Sequence, residues 1–175
     1  MLYGGWRPIL INKMQRIIIT LLLALACIVN AETITGQVVG IADGDTITVL
    51  DADKVQHKIR LSGIDAPEKK QSFGNRSKES LSDLAFDKTV NVETSKRDRY
   101  GRQIGKVLVN GQDVNLVQVE RGMAWFYRQY QREQSPNDRR LYEAAEVAAK
   151  AEKRGLWHDS DPVAPWEFRH AKRVP

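Results

Sequence analysis

Residues that cross-link small domains or bind soft metals are scarce in this sequence. The 175 residues include one cysteine, Cys27, and three histidines, His57, His158 and His170. A lone cysteine excludes an intramolecular disulfide, and no histidine has a partner at the spacing typical of a metal-ligand pair. Softer metals therefore lack suitable ligands, and the domain must be stabilised by its core, by hard ions, or by both.

Long hydrophobic runs are also scarce, and the longest lies near the N-terminus. Ile17–Val29 is a run of 13 apolar or small residues that follows Lys13 and Arg16. A membrane span needs about 20 apolar residues, so this shorter run, with basic residues before it, has the architecture of a signal peptide. We predict that residues 1–31 are removed after Ala31, which would make the mature protein secreted or periplasmic.

Three alternatives for the N-terminus stay open. The run could remain as an uncleaved anchor, Cys27 could carry a lipid, or Met14 could be the true start, because residues 14–31 already form a complete short signal. The residues before the cysteine, Ala24–Ala26, make a poor lipidation signal. In each case the segment adds to the basic character of the chain, since loss of residues 1–31 lowers the formal net charge from +5 to +2.

Residues 33–63 have the pattern of three antiparallel strands in a meander. Apolar and β-branched residues dominate ITGQVVGIA, TITVL and HKIRLSG, and the runs are interrupted by Gly44 and by a turn at residues 51–54. Matching the apolar faces of the second and third strands sets the hairpin register. That register brings Asp45 beside residues 63–65.

The rest of the mature chain predicts two more strands and three helices. In chain order, the expected elements are a helix at 75–86, strands at 89–95 and 103–109, a helix at 113–121 capped by Asp113, and a helix from Pro136 to Gly155. The packed face of the last helix is expected to consist of Leu141, Ala144, Ala145 and Ala148.

This order of elements indicates an α+β fold. Five strands with a helix inserted after the third and two C-terminal helices match a five-stranded OB-fold β-barrel. The domain would span residues 32–158. Residues 159–175 contain three prolines and no periodic pattern, so we expect an irregular tail.

Acidic residues cluster where the first hairpin is predicted to close. Asp43 and Asp45 flank a glycine, and Asp65 and Glu68 are separated by two residues. Taken singly, these pairs could be an ordinary turn and a helix-entry cap. The predicted register gathers three of them, however, and two carboxylates about 4 Å apart repel by about 4 kcal/mol at an effective dielectric of about 20. Such a cluster needs protons or a cation, and calcium best accepts an irregular site of carboxylate and carbonyl oxygens.

Two arginines accompany this cluster. Arg60 precedes Asp65 by five residues on the predicted third strand, and Arg102 follows DRYG in a charged loop. Each alone would be interpreted as a solvated surface residue. Beside carboxylates that hold a cation, forked guanidinium groups suit a phosphodiester, because they neutralise the charge of its transition state while a carboxylate activates water.

Three segments together carry a family resemblance. IADGDTITV, IRLSGIDAPE and DRYGRQIGKV, in this order and at these separations, closely resemble the thermonuclease family typified by staphylococcal nuclease. The resemblance covers residues 33–158, including RGLW at the end of the last helix. It implies an OB-fold and calcium-dependent hydrolysis of DNA and RNA that leaves 3′-phosphate ends. The loop after Glu68 is shorter than in staphylococcal nuclease, so contacts made by that loop cannot be carried over.

The resemblance also implies metal-binding residues. Asp45 and Asp65 would bind calcium through their carboxylates, and Ala66 would bind it through its backbone carbonyl. The family often has threonine at this last position, but a carbonyl ligand does not depend on the side chain. Asp43 would shape the calcium pocket without binding the ion.

Catalytic and substrate-binding residues are implied in the same way. Glu68 would orient or deprotonate the attacking water, and Arg60 and Arg102 would be the two catalytic arginines. Phosphate contacts and a base-stacking platform are implied for Arg99, Tyr100, Tyr127 and Tyr130.

Two other functions stay open. A non-catalytic OB-type module that binds single-stranded nucleic acid would have lost some of the acid and arginine positions, whereas all five are present here. A surface-anchored protein-binding domain would be supported only by a retained N-terminus. We therefore predict an exported, monomeric, calcium-dependent endonuclease with no membrane attachment after signal cleavage.

Overall fold

The structure, a computed structural model, describes residues 32–171. Its strands are β1 (Glu32–Ile41), β2 (Thr46–Asp51), β3 (Gln56–Leu61), β4 (Ile64–Asp65), β5 (Thr89–Arg97), β6 (Gln103–Val109), β7 (Gln112–Asp113) and β8 (Trp125–Phe126). Its helices are α1 (Gly74–Ala85), α2 (Val114–Glu120), α3 (Pro136–Ala151) and α4 (Pro165–Ala171), with 3-10 turns at Arg128–Glu133 and Gly155–His158. The predicted signal segment lies outside the described residues. Within them, no helix has the length and apolar character needed to cross a bilayer.

The long strands close into a barrel. Antiparallel neighbours follow the order β3-β2-β1-β5-β6, and parallel pairing between β3 and β6 closes the ring. Alternate residues point inward, so that Ile47, Val49, Ile59 and Leu61 are fully buried. The predicted α+β fold with a five-stranded OB-type barrel is confirmed.

The helices α1 and α2 pack beside the barrel much as their sequences predict. Leu81, Leu84 and Ala85 form the buried face of α1. The side chain of Asp113 accepts a hydrogen bond from the Leu116 backbone N–H at 3.1 Å, which caps the N-terminus of α2.

The packed face of α3 differs from the prediction. Tyr142, Glu146 and Ala149 point inward, whereas Leu141, on the predicted face, is 45% exposed. Ala144 is also exposed, whereas Ala145 and Ala148 are half-buried and Ala145 packs against the core, so the predicted face was wrong for Leu141 and Ala144 and missed Glu146 because it counted apolar residues only. Glu146 is buried as an acceptor, taking a hydrogen bond from the Phe126 backbone N–H at 3.0 Å.

Part of the tail that was expected to be irregular forms the helix α4. Its first residue, Pro165, is buried, and a proline suits the first helical position. Trp166 stacks on Tyr127 with 5.4 Å between ring centroids and meets Trp125 edge-on at 5.5 Å. A helix of seven residues is too short to be stable alone, so α4 depends on these tertiary contacts, which no sequence pattern reveals.

Candidate active site

The end of the β2–β3 hairpin gathers the predicted acidic residues. Ile47 pairs with Ile59 and Thr46 with Arg60, which is the register expected from the apolar faces. The Leu61 backbone N–H donates to the Asp45 carbonyl at 2.8 Å. The start of β2 therefore lies against the end of β3.

Two buried carboxylates face each other at this point. Asp45 is 6% exposed and Asp65 is 1% exposed. Arg60 Nη2 donates to Asp45 Oδ2 at 3.2 Å and to Asp65 Oδ1 at 2.7 Å. The Ala66 backbone N–H also donates to Asp45 Oδ2, at 3.1 Å. The two carboxylates thus converge on one cationic nitrogen.

Burial makes the negative charge of this cluster costly. The pKa of Asp65 is raised, chiefly by desolvation, while hydrogen bonds from Arg169 oppose the shift. Desolvation and the charge of Asp45 raise the pKa of Asp43 to about 6. Two buried acids with a half-buried third beside them therefore favour a positive charge in this cluster.

The donor set fits a hard cation. In the described part of the chain, no group of three or more His, Cys, Asp or Glu side chains is arranged to hold a metal ion. The candidate set contains two side chains, Asp45 and Asp65, together with the backbone carbonyl of Ala66. These are oxygen donors only, and the carboxylates already share one cationic partner. Calcium accepts such sets and completes its coordination with water.

Close backbone packing holds the loop that carries Asp45. A Cβ atom on Gly44 would lie 1.8 Å from Ser77 Oγ and 2.8 Å from the Ala66 Cβ. Gln118 Nε2 donates to the Gly44 carbonyl at 2.9 Å. Glycine is therefore required here because α1 and the residue after Asp65 both approach the backbone. Sequence reasoning missed Ser77 and Gln118, since both act across long sequence separations.

The ten residues predicted to bind metal or substrate or to act in catalysis line one cleft of about 530 Å³, together with Asp43. They are Asp45, Arg60, Asp65, Ala66, Glu68, Arg99, Tyr100, Arg102, Tyr127 and Tyr130. The structure brings them together, and it adds Asp98 and Arg169, which sequence reasoning missed.

Asp98 fixes the second arginine of the cleft. Arg102 Nε donates to Asp98 Oδ2 at 2.8 Å, and Arg102 Nη2 lies 2.7 Å from the same oxygen. Asp98 Oδ1 accepts the backbone N–H groups of Tyr100 and Arg102 at 2.8 and 3.0 Å. These hydrogen bonds hold the pKa of Asp98 below its usual value, although partial burial opposes the shift. One side chain thus shapes the loop and aims the guanidinium.

Aromatic rings form the outer walls of the cleft. Tyr100 is 66% exposed and Tyr130 is 44% exposed. Arg99 lies over the Tyr100 ring at 4.8 Å and donates to its hydroxyl at 2.7 Å. Tyr127 meets Tyr130 edge-on, with 5.1 Å between centroids. Exposed rings beside cations can accept bases and phosphates together.

Glu68 is held by a residue from the far end of the chain. Its Oε1 accepts a hydrogen bond from Arg169 Nη1 at 2.9 Å. The same guanidinium contacts both oxygens of Asp65, at 3.2 and 2.7 Å. The sequence gives no signal for this contact, because Arg169 lies in a segment without recognisable pattern.

The cleft of this OB-type barrel combines buried carboxylates, fixed arginines and exposed tyrosines. These features indicate the class of proteins that bind nucleic-acid strands through their phosphates and bases. Comparison with known sequences narrows that class. The model of the family described as staphylococcal nuclease homologue matches residues 58–159.

Individual relatives agree with this match. The chain is 39% identical over 163 residues to a protein of Haemophilus influenzae named an uncharacterized endonuclease, covering 91% of this chain and 88% of that protein. It is 46% identical over 140 residues to a protein of the same name from Escherichia coli O157:H7, covering 79% and 87%. It is 41% identical over 147 residues to the micrococcal nuclease of Shigella flexneri, covering 79% and 82%. The chain belongs to the staphylococcal nuclease homologue family and is a nuclease of that family.

Proposed function

We propose that this protein is a calcium-dependent endonuclease that hydrolyses DNA and RNA, leaves 3′-phosphate ends and acts after export. The observation that carries the proposal is the convergence of Asp45 and Asp65 on Arg60, in the cleft that also contains Glu68 and Arg102. Tolerance of both sugars is proposed because contacts to phosphates and base faces do not involve the 2′ position that distinguishes RNA from DNA.

The metal would be held by Asp45, Asp65 and the carbonyl of Ala66. When bound there, calcium supplies positive charge that polarises the phosphate and offsets the charge of the transition state. Asp43 would remain outside the coordination shell, where its backbone-facing oxygen accepts the Asp45 N–H at 3.2 Å.

The remaining charged residues would act on the phosphodiester itself. Glu68 orients the attacking water and accepts its proton, since the carboxylate lies at the cleft and is only partly buried. Arg60 and Arg102 donate to the non-bridging oxygens as charge develops on them. Their ion pairs with Asp65 and Asp98 hold both guanidinium groups in place before substrate arrives.

The side chains of the cleft walls would bind a nucleic-acid strand without distinguishing its base sequence. Arg99 and Tyr100 are suited to a phosphate next to the one attacked, because each offers an N–H or O–H donor at the exposed rim. Tyr127 and Tyr130 would stack on any base. We expect cleavage of single strands and of duplex ends or frayed regions with little sequence preference.

Digestion of single-stranded DNA, duplex DNA and RNA tests this function. Protein expressed from the full sequence and purified should cut all three with calcium and none with a chelator, and mass spectrometry should find 3′-phosphate ends. Glu68→Gln and Arg102→Ala should each lose at least about 100-fold in kcat. The exposed residues Glu79 and Arg140 provide the matched controls Glu79→Gln and Arg140→Ala.

Three results would contradict the proposal. They are cleavage that survives chelation, full activity in both cleft variants, and products with 3′-hydroxyl ends. Binding without cleavage by the unaltered protein would instead favour the non-catalytic OB-type module. Export is tested separately by N-terminal sequencing of protein recovered from the medium or periplasm, where Glu32 is the expected first residue.

A further inference from the structure

One charged side chain of the helix α4 contacts two acidic residues at the candidate metal site. Arg169 donates through Nη1 to Asp65 Oδ1 at 3.2 Å and to Glu68 Oε1 at 2.9 Å. Through Nη2 it donates to Asp65 Oδ2 at 2.7 Å. The paired contacts with Asp65 have the bidentate form that favours an arginine–carboxylate pair. Residue 169 lies beyond the matched family segment, 58–159.

These contacts neutralise the negative charge of the carboxylates that would otherwise attract a metal ion. Both oxygens of Asp65 accept hydrogen bonds from guanidinium groups, one from Arg60 and Arg169 together and the other from Arg169 alone. The carboxylate is almost wholly buried, so water does not screen these interactions. A cation that binds Asp65 through Oδ2, or through both oxygens, therefore competes with the Arg169 contacts.

The docking of α4 does not depend on this arginine alone. Ala164 and Pro165 are buried, and Gln71 Nε2 donates to the Val163 carbonyl at 2.6 Å. Trp166 packs against Tyr127 and Trp125. The helix is thus held by apolar and backbone contacts, and the guanidinium group is left to act on the two carboxylates.

We propose that Arg169 is a positioning residue that sets the metal affinity of the cleft. Its guanidinium group contacts both Asp65 and Glu68 and competes with a cation for the Asp65 carboxylate, so that calcium binding displaces it from Asp65. The inference rests on the proposed function, because it takes Asp65 as a calcium ligand. By linkage, calcium weakens the contact between Arg169 and Asp65 by the same factor by which that contact weakens calcium binding, and α4 loses one of the contacts that hold it.

The helix that carries Arg169 also contributes to the cleft wall. Trp166, three residues before Arg169, stacks on Tyr127 at an interplanar angle of 15°. Loosening of α4 would therefore free the outer face of the Tyr127 ring. Metal occupancy and access to the aromatic wall are coupled through one short helix.

Isothermal titration with calcium tests the inference without reference to cleavage. In protein expressed from the full sequence, Arg169→Gln should bind calcium about tenfold more tightly than the unaltered protein, and Arg169→Lys should lie between them because it keeps the charge but loses the fork. His170→Gln, an exposed neighbour on the same helix, should bind as the unaltered protein does. In chelator, Arg169→Gln should melt at a lower temperature, because Asp65 loses a cationic partner.

Hydrogen exchange adds a second measurement. Calcium should speed amide exchange in residues 165–171 of the unaltered protein and should have little effect there in Arg169→Gln. Calcium affinity that is equal or weaker in Arg169→Gln, or exchange in α4 that calcium does not change, would overturn the inference and leave the proposed function standing. Failure of the unaltered protein to bind calcium would overturn both.

Discussion

Asp98 is the residue on which the position of Arg102 depends. Its carboxylate holds two nitrogens of the guanidinium group, and it also accepts two backbone N–H groups of its own loop. An arginine at the end of a flexible side chain gains precision from such a partner. Precision matters because small errors in placement cost large factors in rate.

Replacing Asp98 should therefore reduce activity more than stability. Asp98→Asn keeps a carbonyl oxygen for the backbone N–H groups but loses the ion pair with Arg102, so we expect kcat/KM to fall about tenfold with little change in melting temperature. Steady-state kinetics and thermal melts provide the measurements. Asp83→Asn, at an exposed position of α1, is the matched control, and an equal loss of activity in the control would contradict the role.

Gly44 is a second residue whose importance comes from its surroundings. Gly44→Ala would force a methyl group against Ser77 and Ala66, so we expect a loss of about 2 kcal/mol in the free energy of unfolding and a weaker calcium site. Gly40→Ala should be nearly neutral, because the added Cβ would make only ordinary contacts at 3.5 Å with Thr48. Urea denaturation compares the two. Equal stability of both variants would show that the loop moves aside.

Residue identities at the site could be read from sequence only where they lie in local motifs. Asp45 and Arg60 belong to the β2–β3 hairpin, whose register follows from the alternation of apolar residues, and Asp65 follows the hairpin directly on β4. Asp98 opens the DRYGR motif, but its partner is shown only by side-chain geometry, and Arg169 reaches Asp65 across 104 residues. A pattern in one sequence carries no information about such a contact.

Among the elements, α3 shows how a buried charge can organise a neighbouring segment. Glu146 is fully buried and accepts hydrogen bonds from the Phe126 backbone, from Arg128 at 2.7 Å and from Lys150 at 3.0 Å. The carboxylate thereby fixes the chain on both sides of Tyr127. The buried charge of Glu146 therefore helps to position Tyr127 in the wall of the cleft.

Removal of that carboxylate should be costly. Glu146→Ala leaves the Phe126 N–H without an acceptor and the two cations without their shared partner, so we expect a loss of about 3 kcal/mol in the free energy of unfolding. Glu143→Ala, one turn earlier at an exposed position, should change stability by less than about 0.5 kcal/mol. Denaturant titration measures the unfolding free energy of both variants. A loss at residue 146 as small as that at residue 143 would contradict the proposed role of Glu146.

Element boundaries follow the sequence closely where local signals are strong. Asp113 and Ser135 cap α2 and α3 through their side chains, as expected from residues that accept N–H groups in the first turn. The inward face of α3 and the existence of α4 were not predictable. Both depend on partners elsewhere in the fold. Glu146 of α3 accepts the Phe126 N–H, and Trp166 of α4 packs against the rings of Tyr127 and Trp125.

At the scale of the whole molecule, a domain without disulfides should gain stability from its ion. On the proposed function, calcium at about 100 times its Kd should add about 2.7 kcal/mol to the free energy of unfolding. Scanning calorimetry should find a higher melting temperature with calcium than with chelator. Asp45→Asn, which lacks a proposed ligand, should lose most of this difference in melting temperature. If the difference is unchanged, Asp45 is not a calcium ligand.

Barrel closure has a consequence for when the protein becomes active. The parallel pairing joins Ile59 and Leu61 of β3 to Gln103 and Gly105 of β6, and a pairing of such sequence separation costs more loop-closure entropy than a hairpin. This pairing brings the segment of Arg102 beside the hairpin that carries Arg60. On the proposed roles, an incompletely folded chain would be harmless to nucleic acid, so a cell could synthesise and translocate it without a separate inhibitor.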